Sequence, residues 1–298
     1  MKRFEKILLL LLIISVNTSC IKEDLDDCEK TRLTFIYKGD GQEDIFHTKI
    51  NKVDLYVFDA DHHLVTTKVL NQSTLKKHQG TKLNLPSGQY HLVAVGNAGE
   101  RTTIKDIQCG SLQNIMAMHP NQDKDKVPGQ DPLYMGCHVI EVLKDRWSDH
   151  TVEFKSSHLK VSVEVRGVGY AGTGRAANPS VSVVLKNVYP HTNFTNESCG
   201  ELCAHHPEFV FDENTHVMQS TDLNIFRYKG GCAMVIEVLN REGNVIASKS
   251  IAEFLRENPK VDIYKQEALL PLLIEFTPLQ VEIRLPEWYI NDVTPDFH

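Results

Sequence analysis

The chain has 298 residues, 41% of them hydrophobic and 24% charged, which is the balance of a globular protein and excludes a disordered one. Its length favours two domains over a single core. The formal charge is −7 and becomes −9 without residues 1–19, which carry three basic residues and one acid; so acidic a chain argues against nucleic acid or anionic membrane surfaces as partners.

The first element in chain order is a targeting signal. Lys2, Arg3 and Lys6 precede the uncharged run 7–16 (ILLLLLIISV), and Asn17, Thr18, Ser19 and Cys20 close it. The run is too short for a membrane span, which takes about 20 residues as a helix. A basic start, a short apolar run and small closing residues make a signal peptide over residues 1–19. A small residue followed by Cys is the pattern cut by the lipoprotein peptidase, although Asn17 stands where Leu is usual, so Cys20 is the expected lipid attachment site. Acyl chains on that sulfur would hold firmly, each buried methylene contributing ~0.8 kcal/mol. Residues 20–30 then form an acidic tether. Within it Lys22, Glu23 and Asp24 resemble the export signal that follows the lipidated Cys in surface lipoproteins of Bacteroidota, and they suit a plain solvated linker equally well.

From residue 31 onward period-two alternation dominates. TRLTFIYK, KVDLYVFD and LVTTKVL read as strands, with the turn Asp59–His63 between the last two. Pro86, Ser87 and Gly88 turn the chain into YHLVAVGN, whose unbroken LVAV suits a strand buried on both faces. SLQNIMAM (111–118) reads as a short helix, and a polar loop follows it. Strands resume with GCHVIEVL, TVEF and HLKVSVEVRGV. The glycine-rich stretch 167–180 reads as a long loop, not a phosphate loop, because it lacks Gly-Lys-Ser/Thr. VSVVLKNVYP, AMVIEVLN, VIASKSI and LQVEIRLPEW complete the strands, and IAEFLREN is a helix ended by Pro259. The expected architecture is mostly β, two β-sandwich domains in series, over residues 31–150 and 151–298.

Besides Cys20 there are six cysteines: Cys28, Cys109, Cys137, Cys199, Cys203 and Cys232. An even number in an exported protein suggests disulfides, favouring Cys109–Cys137 and a bond among Cys199, Cys203 and Cys232, although the sequence does not fix the connectivity. The run Cys199-Gly-Glu-Leu-Cys203-Ala-His205-His206 has ligands that suit zinc, but an oxidising compartment favours disulfides, so no metal is expected. No nucleophile elbow, His-Glu-x-x-His or Walker motif occurs, and no catalytic residues are assigned. Trp147 and Trp288, the two tryptophans, are expected in the core.

Several of these segments together resemble one family. Cys20, Cys28, TRLTFIYKGDGQEDIF, INKVDLYVFDADHHLV, the turn and strand LNLPSGQYHLVAVGN, and the closing VEIRLPEWYIND with Trp288 are similar to the FimB-type, or minor-fimbrium, anchor lipoproteins of Bacteroidota. The resemblance covers nearly the whole mature chain. It implies two tandem transthyretin-like β-sandwich domains, no enzymatic role and no cofactor. It further implies a seat in the outer membrane, facing the cell surface, at the base of a fimbrium whose length the anchor limits. Fimbrial shaft subunits are the implied partners, joined by strand exchange, in which backbone bonds supply strength and alternating side chains supply specificity. Between Cys20 and Leu33 only Arg32 offers a trimming point, which agrees with an untrimmed anchor more than with a shaft subunit. The final strand, residues 279–290, is the expected contact edge. The alternative is a surface lipoprotein that binds a glycan or host ligand through clustered exposed aromatics.

Overall fold

The computed structural model describes residues 30–122, 127–144, 146–168, 181–221 and 223–290. Cys20, the expected lipid attachment site, the segment with Lys22, Glu23, Asp24 and Cys28, and the glycine-rich stretch from residue 169 lie outside them.

The first half contains β1 (Thr31–Ile36), α1 (Phe46–Lys49), β2 (Val53–Phe58), β3 (Leu64–Leu70), α2 (Gln72–Lys77), β4 (Gly80–Leu83), β5 (Gly88–Gly96), β6 (Thr103–Lys105), β7 (Met116–Met118), β8 (Tyr134–Val142) and β9 (Ser148–Ser156). Seven of these strands form one sheet in the order β3-β2-β5-β8-β9-β1-β4. All neighbours are antiparallel except β1 and β9, which run parallel from Thr31↔Ser148 to Ile36↔Glu153. The alternation of TRLTFI sets Leu33 and Phe35 into the core, both almost wholly buried.

The sheet turns a corner at β8–β9, where the ladder holds only from Tyr134↔Ser156 to Gly136↔Phe154. A Cβ on Gly136 would stand 2.7 Å from the Val152 side chain, so the corner needs glycine. Beyond it β9-β1-β4 lies over β3-β2-β5-β8, and Phe35, Leu55, Leu92 and Phe154 fill the space between. Phe35 meets Phe154 edge-on at 5.6 Å, and Tyr37 meets Tyr134 at 4.8 Å.

The second half adds β10 (His158–Arg166), β11 (Ser182–Val188), β12 (His191–Asn193), β13 (Ser198–Cys199), β14 (Cys203–His205), β15 (Phe209–Asp212), β16 (Val217–Ser220), β17 (Asn224–Phe226), β18 (Val235–Leu239), β19 (Val245–Ser250), α3 (Ile251–Glu257), β20 (Leu269–Phe276), β21 (Val281–Arg284) and α4 (Glu287–Ile290). One sheet runs β15-β16-β10-β20-β21, with β17 also on β10, and a second runs β14-β11-β18-β19. They enclose a core built from Val161, Val163, Leu185, Ile236, Leu272 and Phe254.

A third sheet, β13-β12-β7-β6, draws strands from both halves, with β12 pairing β7 from His191↔Met118 to Asn193↔Met116. It covers the outer face of the first sheet, burying Phe58, Val93, Val95 and Met135 against Ile115, Ala117, Phe194 and Phe226.

Two expectations are corrected. Residues 111–118 contain β7 and no helix: Ile115 and Ala117 are fully buried and alternate with half-buried Met116, and pairing on both edges overrides local helix propensity. β9 belongs whole to the first sheet and β10 to the second, with Ser157 between them. The final segment is not one strand: β21 stops at Arg284, Pro286 intervenes, and α4 begins at Glu287.

Candidate strand-docking edges

Chain entry is well defined. The Lys30 carbonyl accepts from Ser148 N at 3.0 Å, and the next residue starts β1 in the interior of the sheet. Arg32, the sole candidate trimming point, lies within β1 and pairs with Asp149 at 3.1 Å.

The expected disulfides are not formed: Cys109, Cys137, Cys199, Cys203 and Cys232 are all free thiols. Cys109 and Cys137 are both exposed, Cys109 on a turn after β6 and Cys137 on β8 with its thiol donating to the Phe194 carbonyl at 3.1 Å. Cys199 and Cys203 are four residues apart in sequence but fall in different sheets, on β13 and β14. Desolvation pushes the Cys137 thiol up to about 11 and raises those of Cys199, Cys203 and Cys232, which favours the protonated thiol. Beside them His205 is fully buried and held down at about 4 by desolvation, with no partner for either ring nitrogen. Among the described residues the one Cys/His/carboxylate group whose ligand atoms come together is Asp59, Asp61 and His63, within 4.8 Å. These residues build the β2–β3 turn, where Asp59 Oδ1 accepts from the backbone N–H groups of Asp61 and His63.

Both tryptophans are exposed, contrary to their expected core role, Trp147 at 65% and Trp288 at 46%. They sit in different halves, Trp147 between β8 and β9 and Trp288 on α4, so they do not form the aromatic cluster that a glycan face would need. Trp288 Nε1 donates to Glu164 Oε2 at 3.3 Å, and Glu287 bonds both Arg166 and Arg284. Those two cations hold the Glu287 carboxyl down at about 2 and pin α4 over β10 and β21.

What the molecule offers a partner is open strand edges. β21 ends its sheet, paired only to β20, from Leu273↔Arg284 to Phe276↔Val281. Next to it Leu279 is 96% exposed. In the first half β3 and β4 end the seven-stranded sheet. They flank a groove of ≈ 730 Å³ whose walls include Leu33, Lys68, Leu70, Gly80 and Lys82. The sequence reading placed the contact edge at residues 279–290 and missed the groove. One signal for the groove lies in the sequence: residues 62–99 contain no Asp or Glu, although the chain has 39.

Open edges of this kind are templates on which another chain can pair as a strand. The chain belongs to the family of fimbrillin-A associated anchor proteins Mfa1 and Mfa2, whose model matches residues 25–294. No curated protein matches it. Among solved structures it is similar to a candidate adhesin from Bacteroides ovatus, at 18% identity and TM-score 0.69 over 90% of this chain and 96% of that one. A candidate polysaccharide-binding protein from Bacteroides thetaiotaomicron aligns at 14% identity and TM-score 0.68, covering 87% and 98%. The fimbrial anchor protein Mfa2 from Porphyromonas gingivalis aligns at 14% identity and TM-score 0.61, covering 82% and 89%. At these identities the structural likeness establishes the fold.

Proposed function

We propose that this protein anchors a fimbrium to the bacterial surface. Acyl chains on Cys20 hold it in the outer membrane, Lys22, Glu23 and Asp24 direct it outward, and an open edge receives or supplies a strand to the first shaft subunit. A subunit held by lipid at one end offers one site for growth and thereby limits fimbrial length. The observation that carries this reading is the family match, which spans residues 25–294 and includes both halves. The position of β1 is consistent with it: the strand lies between β9 and β4, so an untrimmed chain passes from the tether straight into a paired strand. β21 is the preferred contact, because it is an edge, its chain neighbour Leu279 is exposed, and α4 braces it through Arg284 and Glu287.

The test is a pull-down of epitope-tagged protein from detergent-solubilised outer membranes, comparing wild type with Cys20→Ala. Wild type is expected to bring down an SDS-resistant ladder of fimbrial subunits, and the variant to shed fimbriae into the medium. Recovery of the tagged protein alone, with only its location changed by Cys20→Ala, would sink the anchor reading. A surface protein that binds a glycan or host ligand would take its place, a reading favoured by the description of the B. thetaiotaomicron relative.

A further inference from the structure

The β2–β3 hairpin closes through Asp59-Ala60-Asp61-His62-His63, in which every residue but Ala60 has a side chain able to ligate a metal. The turn itself uses few of them. Asp59 supplies its side-chain bonds: Oδ1 accepts from Asp61 N at 3.0 Å and from His63 N at 2.9 Å. The Asp59 backbone N–H donates to the His63 carbonyl at 3.0 Å. His62 takes the left-handed φ of 61° that the reversal requires, and its ring packs edge-on against His91 of β5 at 4.4 Å. The Asp61 carboxylate and the His63 ring take no part in this folding. Both residues are exposed, and among the described residues neither side chain has a hydrogen bond or ion pair outside the turn.

These two side chains nevertheless converge on Asp59. One ligand atom each of Asp59, Asp61 and His63 lies within 4.8 Å of the others. His63 Nδ1 stands 3.6 Å from Asp59 Oδ2, too far for a hydrogen bond. Two atoms that share a zinc ion at about 2.0–2.2 Å and a tetrahedral angle stand roughly 3.3–3.6 Å apart. The observed separation is that of two ligands of one ion.

Donor chemistry narrows the choice of ion. Calcium and magnesium take oxygen ligands, so the imidazole disfavours them, and a set without thiolate or thioether disfavours Cu(I). Zinc accepts imidazole and carboxylate together. The backbone bonds to Asp59 Oδ1 fix the orientation of its carboxylate, which is the outer support that ligating carboxylates have.

We propose that Asp59, Asp61 and His63 form a surface zinc site at the tip of the β2–β3 hairpin, with water in the fourth position. An ion there ties three side chains together and stiffens the turn that leads into β3, an edge strand of the first sheet. The site exists only when the turn is formed, so zinc favours the closed hairpin by mass action.

The test uses the full-length lipoprotein in detergent, with an epitope tag that lacks histidine, stripped with chelator and titrated with zinc chloride by calorimetry. One equivalent is expected to bind saturably, and calcium in large excess should not compete. His63→Gln and Asp61→Asn keep the turn bonds of Asp59 and should each weaken binding by about tenfold or more, since the loss of an outer-sphere partner alone reaches that size. Cys203→Ser and His62→Gln should leave it unchanged. Cobalt(II) in place of zinc should give weak d–d bands without thiolate charge transfer. Hydrogen exchange should slow at residues 61–63 when zinc is bound. No saturable uptake overturns the proposal, and so does uptake that His63→Gln leaves intact. A thiolate band in the cobalt form moves the site to the cysteines and overturns it equally. Matching urea midpoints of wild type and variants without zinc show that a loss of binding is not a loss of fold. The outcome is independent of anchoring: a protein that carries fimbriae and takes up no zinc refutes the turn site alone.

Discussion

Phe194→Ala tests whether the two halves fold as one unit. Phe194 belongs to the second half but is fully buried against the outer face of the first sheet. Its ring lies 5.1 Å from Tyr56 and 6.2 Å from Phe58, and its backbone N–H is bonded to the carbonyls of Leu112 and Ile115. Truncation leaves the backbone bonds and removes the ring. Burial of an aromatic ring of ~150–250 Å² at ~25 cal/mol per Å² is worth about 4–6 kcal/mol, and measured Phe→Ala losses are about 3–5 kcal/mol. We expect a loss of about 4 kcal/mol, or roughly 1.5 M in urea midpoint at a slope of ~2.5 kcal/mol per M. Trp147 and Trp288 lie one in each half, so single-tryptophan variants report each half separately by fluorescence. Wild type should give one shared midpoint, and Phe194→Ala should lower both or part them. If both midpoints move by less than about 0.5 kcal/mol, the shared sheet does not couple the halves.

Three further outcomes are expected. Stability should fall as pH drops from about 6.5 toward 4, because His205 is neutral in the fold with its pKa at about 4 while the unfolded chain takes up the proton near 6.5. The slope is about 1.4 kcal/mol per pH unit for His205 and the same again for His158, which desolvation also holds at about 4, and a urea midpoint unchanged between pH 7 and pH 5 would contradict it. Gly80→Ala places a Cβ 1.9 Å from the Leu33 carbonyl at φ +154 and should cost about 3 kcal/mol or more, whereas Gly230→Ala, with open space around it, should be near neutral in thermal melts. Glu267→Ala removes the acceptor of the Tyr37 hydroxyl at 2.5 Å and the partner of Lys49, unlocking a clamp between the halves, and should cost about 2–3 kcal/mol while Glu267→Gln recovers part of it.

Long alternating strands were legible from sequence because each carries its own signal. In β1, β2 and β5 the buried positions of Leu33, Phe35, Val53, Leu55 and Leu92 follow the side-chain period. α3 was legible for the same reason, closing at Asn258 just before Pro259. The three-residue strands β6, β7 and β12 were not. Their order comes from pairing between residues as distant as Met116 and Asn193, which no local window contains. Cysteine parity failed because it counts thiols and ignores where sheets put them: Cys137 turns toward Phe194, and β13 and β14 part Cys199 from Cys203. Of the contact surface, the β21 edge was visible in outline. The groove needed the sheet order, since only that order brings Lys68 to Lys82.

The placement of β1 also governs how the molecule bears force. A pull on the chain ahead of Thr31 acts along a strand laddered on both sides, with six residue pairs to β9 and four to β4. Hydrogen bonds perpendicular to such a pull are loaded together in shear. They are not opened one after another, as they would be at a free edge. Thermal fluctuation would have to break both ladders at once before the strand slipped, so rupture under load is governed by a high unfolding barrier and not by the modest equilibrium stability of the fold. Whatever drags on the distal end, the entry strand meets that load on two ladders at once.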